Sequence, residues 1–282
     1  AAYGRELEKL QDAVPPRPFR VMRPQLEKAF GPDPLAKFAS FDTDAIAAAS
    51  LAQVYRATTK DGTDVAVKVL YPNVARLIRL DLRVLRMVAP VIEKAFGMIH
   101  TTTVLTQLGD MLERETDYSN ERRNLEKMRQ LFADRDDVVV PEVIGELSLE
   151  GVLTMSFEAG CKITAFDVFE KESIERDAVA KVLVESYFSM LFEKGVFHAD
   201  PHPGNFLVRP GKDGPTLVIL DYGAVEEVSD KLAQGMKMVV LGALMRSDDS
   251  ILAGIKHMGF VADGGDSEML GQIGRDYLAV LG

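Results

Sequence analysis

Two β-rich runs joined by a short polar turn limit the possible folds of this chain more than any other feature. The runs are Ala52–Thr58 and Asp64–Leu70, with Lys60-Asp61-Gly62 between them. An Asp-Gly pair supplies the positive φ that a tight turn requires, so the runs are predicted to form an antiparallel hairpin. Lys68 alternates with apolar residues in the second run, so its side chain faces the opposite side of the sheet from theirs. It could lie on an exposed edge or point into a cleft.

Apolar residues at helical spacing predict that much of the remaining chain is helical. The predicted helices cover residues 73–96, 104–132, 175–194 and most of the chain beyond 229, with breaks near Gly259 and Gly264. Short β-rich runs lie at 138–140, 152–157 and 217–220. Gly160 follows one of these runs and is a candidate hinge, while Gly195 is well suited to end a helix. This order predicts a mixed region followed by a mainly helical one.

Composition and charge exclude several classes of protein. The chain has 282 residues, a formal net charge of −10 and a pI near 5.0. A nucleic-acid-binding surface needs clustered Lys and Arg, so no nucleic-acid partner is expected. The single cysteine, Cys161, excludes an intrachain disulfide framework. The longest apolar run, Met238–Met245, is far shorter than the roughly 20 residues of a membrane span, and no signal peptide is visible, so a cytoplasmic location is expected.

Polar side chains cluster in and near a loop that prolines stiffen. The loop runs from His198 to Val208 and contains Asp200 and Asn205, while Asp221 follows a later β-rich run. Proline fixes φ and removes backbone donors, so the loop is expected to be extended and to hold its side chains in fixed positions. Two carboxylates and a carboxamide supply the hard oxygen ligands that Mg²⁺ takes together with phosphate oxygens. If the carboxamide and one carboxylate bind the metal, the other carboxylate remains to act on the substrate.

Four motifs occur in the order that is typical of protein kinases. They are a Val-Ala-Val-Lys strand, a Glu-rich helix, a His-x-Asp-x-x-x-x-Asn loop and Asp-x-Gly. In detail the chain resembles the UbiB family of atypical protein-kinase-like proteins, through the stretches Ala47–Tyr55, Val65–Pro72, Glu115–Asn124, His198–Asn205 and Leu220–Gly223. The resemblance implies an α+β, bilobal kinase-like fold. Residues 1–157 would form an N-terminal extension and a small β-rich N-lobe with inserted helices, and residues 158–282 a larger, mainly helical C-lobe.

The resemblance also assigns roles to the polar residues of these motifs. It implies that Lys68 binds the α and β phosphates of ATP, that Asp200 is the catalytic carboxylate, and that Asn205 and Asp221 bind Mg²⁺. Glu121 is the expected ion-pair partner of Lys68 and would complete the catalytic set.

Glu115 is the alternative partner of Lys68. Together with Asp117 it matches the family's Glu-x-Asp signature, which the resemblance implies is a regulatory contact with an N-terminal segment that covers the active site. A Lys-x-Gly-Gln motif marks that segment in the family, and this sequence does not contain it.

Backbone groups at two further places are expected to bind the nucleotide. An Ala-rich stretch stands where most kinases have a glycine-rich phosphate loop, and its candidate residues are Ala47, Ala48, Ala49 and Ser50. Alanine is stiffer than glycine, so this loop should restrict the approach of backbone N–H groups to phosphate oxygens. Taken alone, the stretch could equally be helix-forming sequence. Ser156 stands where relatives often have an acidic residue, so the backbone of Phe157 and Glu158 is the expected contact for adenine.

Two features argue against a protein as phosphoryl acceptor. The helical pattern resumes at about Ser229, soon after Asp221-Tyr222-Gly223, which leaves no room for the long activation segment on which peptides rest. In addition, His202 occupies the position where Ser/Thr protein kinases usually have Lys, so the loop is more similar to the catalytic loops of aminoglycoside and choline kinases. A small molecule, a lipid or water is the expected acceptor.

The resemblance therefore implies an atypical kinase or ATPase that binds Mg-ATP and supports isoprenoid quinone biosynthesis or lipid handling. Expected partners are the nucleotide, a quinone precursor or other lipid, and a biosynthetic complex or membrane surface, at the bacterial inner membrane or in an organelle. One alternative is a non-catalytic nucleotide-dependent switch or scaffold. Another is a non-haem iron site on His198 and Asp200, which would leave Lys68, Asn205 and Asp221 without a role.

Overall fold

The structure is a computed structural model that describes residues 15–96 and 101–260. Their α-helices are α1 (Phe19–Phe30), α2 (Val74–Phe96), α3 (Thr101–Glu115), α4 (Tyr118–Leu131), α5 (Phe166–Glu172), α6 (Arg176–Phe192), α7 (Asp230–Leu244) and α8 (Asp248–Met258). The strands are β1 (Ser40–Ala48), β2 (Ala52–Thr58), β3 (Asp64–Leu70), β4 (Val138–Val139), β5 (Val152–Ser156), β6 (Cys161–Lys162), β7 (Val196–His198), β8 (Phe206–Pro210), β9 (Pro215–Ile219) and β10 (Val225–Glu227). The predicted α+β class is confirmed.

Contacts divide the described residues into two units. The first unit consists of residues 15–96, 101–179 and 200–224, and the second of residues 180–199 and 225–260. The division of the chain after residue 157 stays a prediction. No helix of the described residues is long and apolar enough to cross a membrane.

The predicted hairpin is the centre of an antiparallel sheet in the first unit. Strands β2 and β3 pair in continuous register from Ala52 with Leu70 to Thr58 with Asp64. Gly62 has a φ of 92° in the connecting turn, as the Asp-Gly signal predicted. Strand β1 flanks β2 and strand β5 flanks β3, which gives the order β1-β2-β3-β5.

One face of this sheet is covered by α1, the extension that precedes it. Val65, Val67 and Val69 of β3 are fully buried and belong to one apolar cluster with Met22 and Leu26 of α1. Aromatic rings from α1, β1 and β2 pack edge to face or tilted in the same layer. Because side chains alternate across a strand, burial of the three valines directs Lys68 to the opposite face.

The helical region after β3 corrects one prediction. Helix α2 confirms the helix expected at residues 73–96, but the single helix expected at 104–132 is wrong, because α3 and α4 are separate. The side chain of Asp117 accepts a hydrogen bond from the Ser119 N–H and caps the start of α4. An N-cap aspartate has non-helical backbone angles, here φ −101° and ψ 88°, so it interrupts a pattern that apolar spacing alone cannot divide.

A second sheet in the first unit has the order β4-β9-β8-β6. Its central pair, β8 and β9, is antiparallel, with Phe206 opposite Ile219. The loop before β8 was expected to be extended throughout, but Pro203–Asn205 form a short 3-10 turn. The side chain of His202 accepts a hydrogen bond from the Gly204 N–H and caps this turn.

In the second unit, α7 and α8 form a closely packed helical pair. Ser229 caps α7, which confirms the predicted helical start, and Gly259 ends α8 with a φ of 86°, which confirms the break predicted there. A further break at Met245–Ser247, between α7 and α8, was not predicted. A Cβ at Gly254 would lie 2.6 Å from the Gly235 carbonyl oxygen, so the two backbones approach more closely than larger residues allow. The break predicted near Gly264 lies outside the described residues.

We predict that Gly62→Ala lowers the free energy of unfolding by about 1 kcal/mol, because Cβ disfavours the left-handed conformation of this turn. Urea unfolding followed by circular dichroism measures the change. Gly145→Ala is the matched control, since Gly145 has an ordinary φ and open space around its Cα. Equal stabilities for the two variants would contradict the role assigned to the turn.

Candidate functional site

A lysine in the middle of the first sheet is paired with two carboxylates from distant segments. The Lys68 Nζ lies 2.6 Å from Glu121 Oε1 and 2.9 Å from Asp221 Oδ2. Lys68 is on β3, Glu121 is in the first turn of α4, and Asp221 follows β9. Of the two glutamates considered as its partner, Glu121 is therefore the one in contact. All three residues belong to the first unit.

The buried surroundings of the Lys68–Glu121 pair shift the pKa values of both groups. The side chains of Glu121 and Lys68 are only 4% and 15% exposed. Burial raises the pKa of Glu121 to about 7, although the positive charge of Lys68 acts in the opposite direction. Burial alone would lower the pKa of Lys68, but the negative charges of Asp221 and Glu121 outweigh it and raise that pKa well above its usual value. Lys68 is therefore positively charged at neutral pH.

Tyr118, at the start of α4, packs its ring against Lys68, a contact that was not predicted from the sequence. Its ring centroid lies 5.4 Å from the Lys68 Nζ, a cation–π contact. Its hydroxyl is buried and has no hydrogen-bond partner among the described residues. Burial also raises the pKa of Tyr118, so the hydroxyl keeps its proton. The ring limits the access of water to the ion pair.

Pairing of β8 with β9 brings together Asp200, Asn205 and Asp221, which lie in the loops next to these strands. Asn205 immediately precedes β8, and its carbonyl accepts a hydrogen bond from the Leu220 N–H at the end of β9. The Asn205 Nδ2 donates to Asp200 Oδ2 at 2.9 Å and to the Asp200 carbonyl at 3.2 Å. Asp221 comes directly after Leu220. The geometry thus brings together Asp200, Asn205 and Asp221, as the sequence predicted.

Local hydrogen bonds fix the orientation of Asp221. Its Oδ1 accepts from the Gly223 N–H at 2.9 Å, and the next carbonyl, that of Tyr222, accepts from Asn124 Nδ2 at 2.9 Å. Tyr222 is fully buried and its hydroxyl donates to the Ile219 carbonyl. Asn124 was assigned no role from the sequence, although its position three residues after Glu121 places both on one face of α4.

The two residues of the Glu-x-Asp pair have different surroundings. Partial burial, followed by the negative charge of Asp221, raises the pKa of Glu115. A Cβ on Gly223 would lie 3.8 Å from Glu115 Oε1, so this carboxylate borders the site. Asp117 instead caps α4, as described above. The regulatory contact with an N-terminal segment stays a prediction for both residues.

The Ala-rich stretch is a strand end and a turn, and the alternative that it forms a helix is wrong. Ala47 and Ala48 belong to β1, and Ala49 and Ser50 belong to the turn into β2. The Ala49 N–H already donates to the Ala52 carbonyl at 2.8 Å. Because that donor is occupied, a phosphate could reach it only if this hydrogen bond opened.

The segment after β5 offers fewer backbone contacts than expected. The Phe157 N–H donates to the Asp64 carbonyl at 3.0 Å, so it is not available to a ligand. The Phe157 carbonyl and the Glu158 N–H are the remaining backbone candidates. The Glu158 side chain is held by Arg209 at 3.0 Å and by the Ser156 hydroxyl at 2.9 Å.

The histidines of the proline-stiffened loop serve the fold. His198 is buried, with its Nδ1 3.4 Å from the Tyr187 hydroxyl, and His202 caps the turn before β8. Within residues 15–96 and 101–260, no group of three or more His, Cys, Asp or Glu side chains could hold a metal ion by itself. The iron-site alternative therefore has no support in this part of the chain.

These elements are the ones that define a protein-kinase-like protein. A strand lysine pairs with a helix glutamate, and a loop with Asp200 and Asn205 leads into a hairpin that ends at Asp-x-Gly. Residues 9–254 match the family model described as ABC1 atypical kinase-like domain. The chain belongs to this family, and homologues within it carry the name UbiB, as the resemblance predicted.

Individual relatives agree with this assignment. The chain is 32% identical to the Arabidopsis thaliana protein ACTIVITY OF BC1 COMPLEX KINASE 8, chloroplastic, over 94% of this chain and 35% of the relative. It is 32% identical to the "Probable protein kinase UbiB" of Marinobacter nauticus, over 78% of this chain and 41% of the relative. The chain thus spans less than half the length of these two relatives.

A solved structure shares the fold. The structure of Rv3197 with erythromycin, from Mycobacterium tuberculosis, matches with a TM-score of 0.70 and 26% identity. The match covers 90% of this chain and 63% of the other. Together with the family match, this confirms the kinase-like fold expected from the motifs.

We predict that Glu121 makes stability fall as pH rises from about 4.5 to 7. Between these values the unfolded carboxyl has lost its proton while the folded one, with a pKa of about 7, retains it. Each unit of pKa difference corresponds to about 1.4 kcal/mol, and the sign follows because the folded state binds more protons. Urea unfolding of the wild type and Glu121→Gln at several pH values measures the effect.

Glu126→Gln is the control for this experiment, since Glu126 is an exposed carboxylate on the same helix. The control should keep the pH dependence of the wild type and Glu121→Gln should lose it. Identical profiles for all three proteins would show that Glu121 does not titrate in this range.

Proposed function

We propose that this chain binds Mg-ATP and transfers the terminal phosphoryl group to a small molecule, a lipid or water. The observation that supports this most strongly is the pairing of Lys68 with Glu121 and Asp221. In protein kinases a strand lysine held by a helix glutamate binds the phosphates, and the Asp of Asp-x-Gly binds metal. The same residue types meet here in the same order of elements.

The residues at the hairpin β8–β9 fit a magnesium ion. Asn205 turns its side-chain nitrogen to Asp200, which leaves the side-chain oxygen as its ligand atom. Asp221 is 35% exposed, so its carboxylate is accessible although Lys68 and Gly223 contact it. Mg²⁺ commonly binds one or two protein oxygens and completes its shell with water and phosphate oxygens. Asn205 and Asp221 would supply those two.

In the proposed reaction each side chain has a separate task. Lys68 would bind the α and β phosphates, while Glu121 and Tyr118 keep its ammonium group in place. Asp200 is exposed at the loop, where it would accept the proton of an acceptor hydroxyl or water. When bound, Mg²⁺ would neutralise charge on the phosphates. Asn205 holds the Asp200 carboxylate at 2.9 Å, which fixes the position of the base.

The nature of the acceptor is inferred from the segment after Asp-x-Gly. Residues 224–229 lie between Gly223 and the start of α7 at Asp230, and β10 occupies half of them. Six residues are too few for a peptide-binding activation segment, which favours a small or lipid acceptor, or water. Two relatives carry the name UbiB. The resemblance to that family supports a quinone precursor or related lipid as the partner, and with it a peripheral position at a membrane or in a biosynthetic complex.

A nucleotide-dependent switch without efficient turnover is the second candidate. The turn that would cover the phosphates has its Ala49 N–H and carbonyl already hydrogen-bonded, to the Ala52 carbonyl and the Tyr71 hydroxyl. A turn held in this way cannot follow the phosphates through the reaction as a glycine loop can, which favours slow release or slow chemistry. Turnover measurements separate the two candidates.

We predict that Asp221→Asn weakens Mg-dependent nucleotide binding by more than about tenfold while the fold persists, because a charged metal ligand is replaced by a neutral one. Isothermal titration calorimetry with ADP, with and without Mg²⁺, measures the affinity. Asp213→Asn, in the exposed turn between β8 and β9, is the control. Unchanged affinity in Asp221→Asn would refute the metal assignment.

Lys68→Ala should also weaken nucleotide binding in the same titration. An unchanged affinity in this variant would contradict the assignment of Lys68 to the nucleotide site.

We further predict Mg-dependent phosphate release from ATP that Asp200→Asn reduces by about a hundredfold or more, since a general base typically contributes at least about that factor. The assay contains liposomes with and without a phenolic quinone-precursor mimic. A phosphorylated lipid product identifies a kinase, and phosphate release alone identifies an ATPase. Nucleotide binding without any turnover would instead support the switch.

A further inference from the structure

The turn between β1 and β2 is held by a tyrosine of the Val65–Pro72 stretch to which the sequence assigned no role. The turn comprises residues 49–51, and Tyr71 follows β3, three residues after Lys68. The Tyr71 hydroxyl donates to the Ala49 carbonyl at 3.1 Å, and the Tyr71 N–H donates to the Leu51 carbonyl at 2.8 Å. One residue thus holds both ends of the turn and links it to the strand that carries Lys68.

Tyr71 is itself held in one orientation. It is only 3% exposed, and the Arg17 guanidinium lies 4.0 Å from its ring centroid. The backbone of Arg17 exchanges two hydrogen bonds with the Gln53 carboxamide, at 2.7 and 3.1 Å, and Gln53 is fully buried. These hydrogen bonds fix the backbone of Arg17 beside Tyr71, and from there its side chain reaches the ring.

The Tyr71 hydroxyl stays protonated and can therefore keep donating its hydrogen bond to Ala49. Burial raises the pKa of Tyr71, and Arg17 offsets this only in part, so the hydroxyl keeps its proton across the physiological range. Its acceptor, the Ala49 carbonyl, belongs to the residue whose N–H is bonded to Ala52. Both polar groups of Ala49 are consequently fixed, and the turn lacks the freedom that its exposed position would otherwise allow.

We propose that Tyr71 is a positioning residue that holds the turn of residues 49–51 in the geometry that receives the nucleotide phosphates, with Arg17 as its support. The inference rests on the proposed nucleotide-binding function. Without the Tyr71 hydroxyl, the turn must be ordered when the nucleotide binds, and the entropy lost at that step weakens binding. The tether thus sets nucleotide affinity through the Ala49 carbonyl, although Tyr71 itself touches no reacting atom.

Tyr71→Phe tests this proposal because it removes only the hydroxyl. Tyr55→Phe is the control: Tyr55 lies in the same sheet, is fully buried, and its hydroxyl accepts a hydrogen bond from Gln53 Nε2 at 3.0 Å. Loss of this hydroxyl leaves in place the two Gln53–Arg17 hydrogen bonds and the one from Tyr71 to Ala49. Calorimetric titration with Mg-ADP gives the dissociation constant of each protein. Urea unfolding gives their stabilities, so that a general loss of stability is recognised.

We expect Tyr71→Phe to raise the dissociation constant for Mg-ADP about three- to tenfold, the equivalent of one ordinary hydrogen bond. Tyr55→Phe should change it less than about twofold at a similar loss of stability. If Mg-ATP is turned over, KM should rise in Tyr71→Phe while kcat stays within about twofold. Arg17→Ala should raise the dissociation constant about two- to fivefold, as expected for loss of a cation–π contact.

Amide hydrogen exchange tests the tether without any nucleotide. In Tyr71→Phe the N–H groups of Ser50 and Leu51 should exchange at least about threefold faster than in the wild type and in Tyr55→Phe. Unchanged exchange, or equal loss of affinity in both tyrosine variants, would overturn the inference. If the wild type binds no nucleotide but the turn still loosens, the tether holds and the proposed function fails instead.

Discussion

The described site depends on one constraint, which is that the ammonium group of Lys68 is removed from water and must be paired. Transfer of an isolated charge into a protein interior costs several kcal/mol, and close carboxylates with good geometry can offset that cost. Lys68 has two such partners, which are 53 and 153 residues away in the sequence. Its pairing therefore requires α4 to approach the sheet and the end of β9 to reach the same point. Because Tyr118 packs its ring against the same ammonium group, the pair is also shielded from solvent.

A second layer of hydrogen bonds holds these partners in place. Asp221 is positioned by its own following turn and by Asn124, which binds the Tyr222 carbonyl. On the other strand of the hairpin, Asn205 is fixed by Leu220 and in turn fixes Asp200. Side chains that bind phosphate or metal need such support, since small displacements reduce rates severely.

Sequence patterns predict the local features of this chain more reliably than those that depend on distant segments. The hairpin around Gly62 and the placement of Lys68 opposite the neighbouring valines were predicted correctly, because turn chemistry and strand alternation are local rules. Whether Lys68 lay on an exposed edge or in a cleft was left open by the sequence. The division of α3 from α4 at Asp117 was missed, since apolar spacing continues through the break and only the cap reveals it. The Ala-rich stretch could not be assigned from alanine propensity, because strand pairing with β2 overrides a helical preference.

The sequence by itself determined the order of the kinase-like elements, the identity of the polar side chains and the positions of the tight turns. These depend on residue type and on contacts within a few residues. The tertiary structure alone decided that Glu121 rather than Glu115 pairs with Lys68, that the Phe157 N–H is occupied, and that Tyr71 reaches the turn of residues 49–51. Each of these contacts joins segments far apart in the chain. Their geometry follows from how helices and sheets pack, which no local pattern specifies.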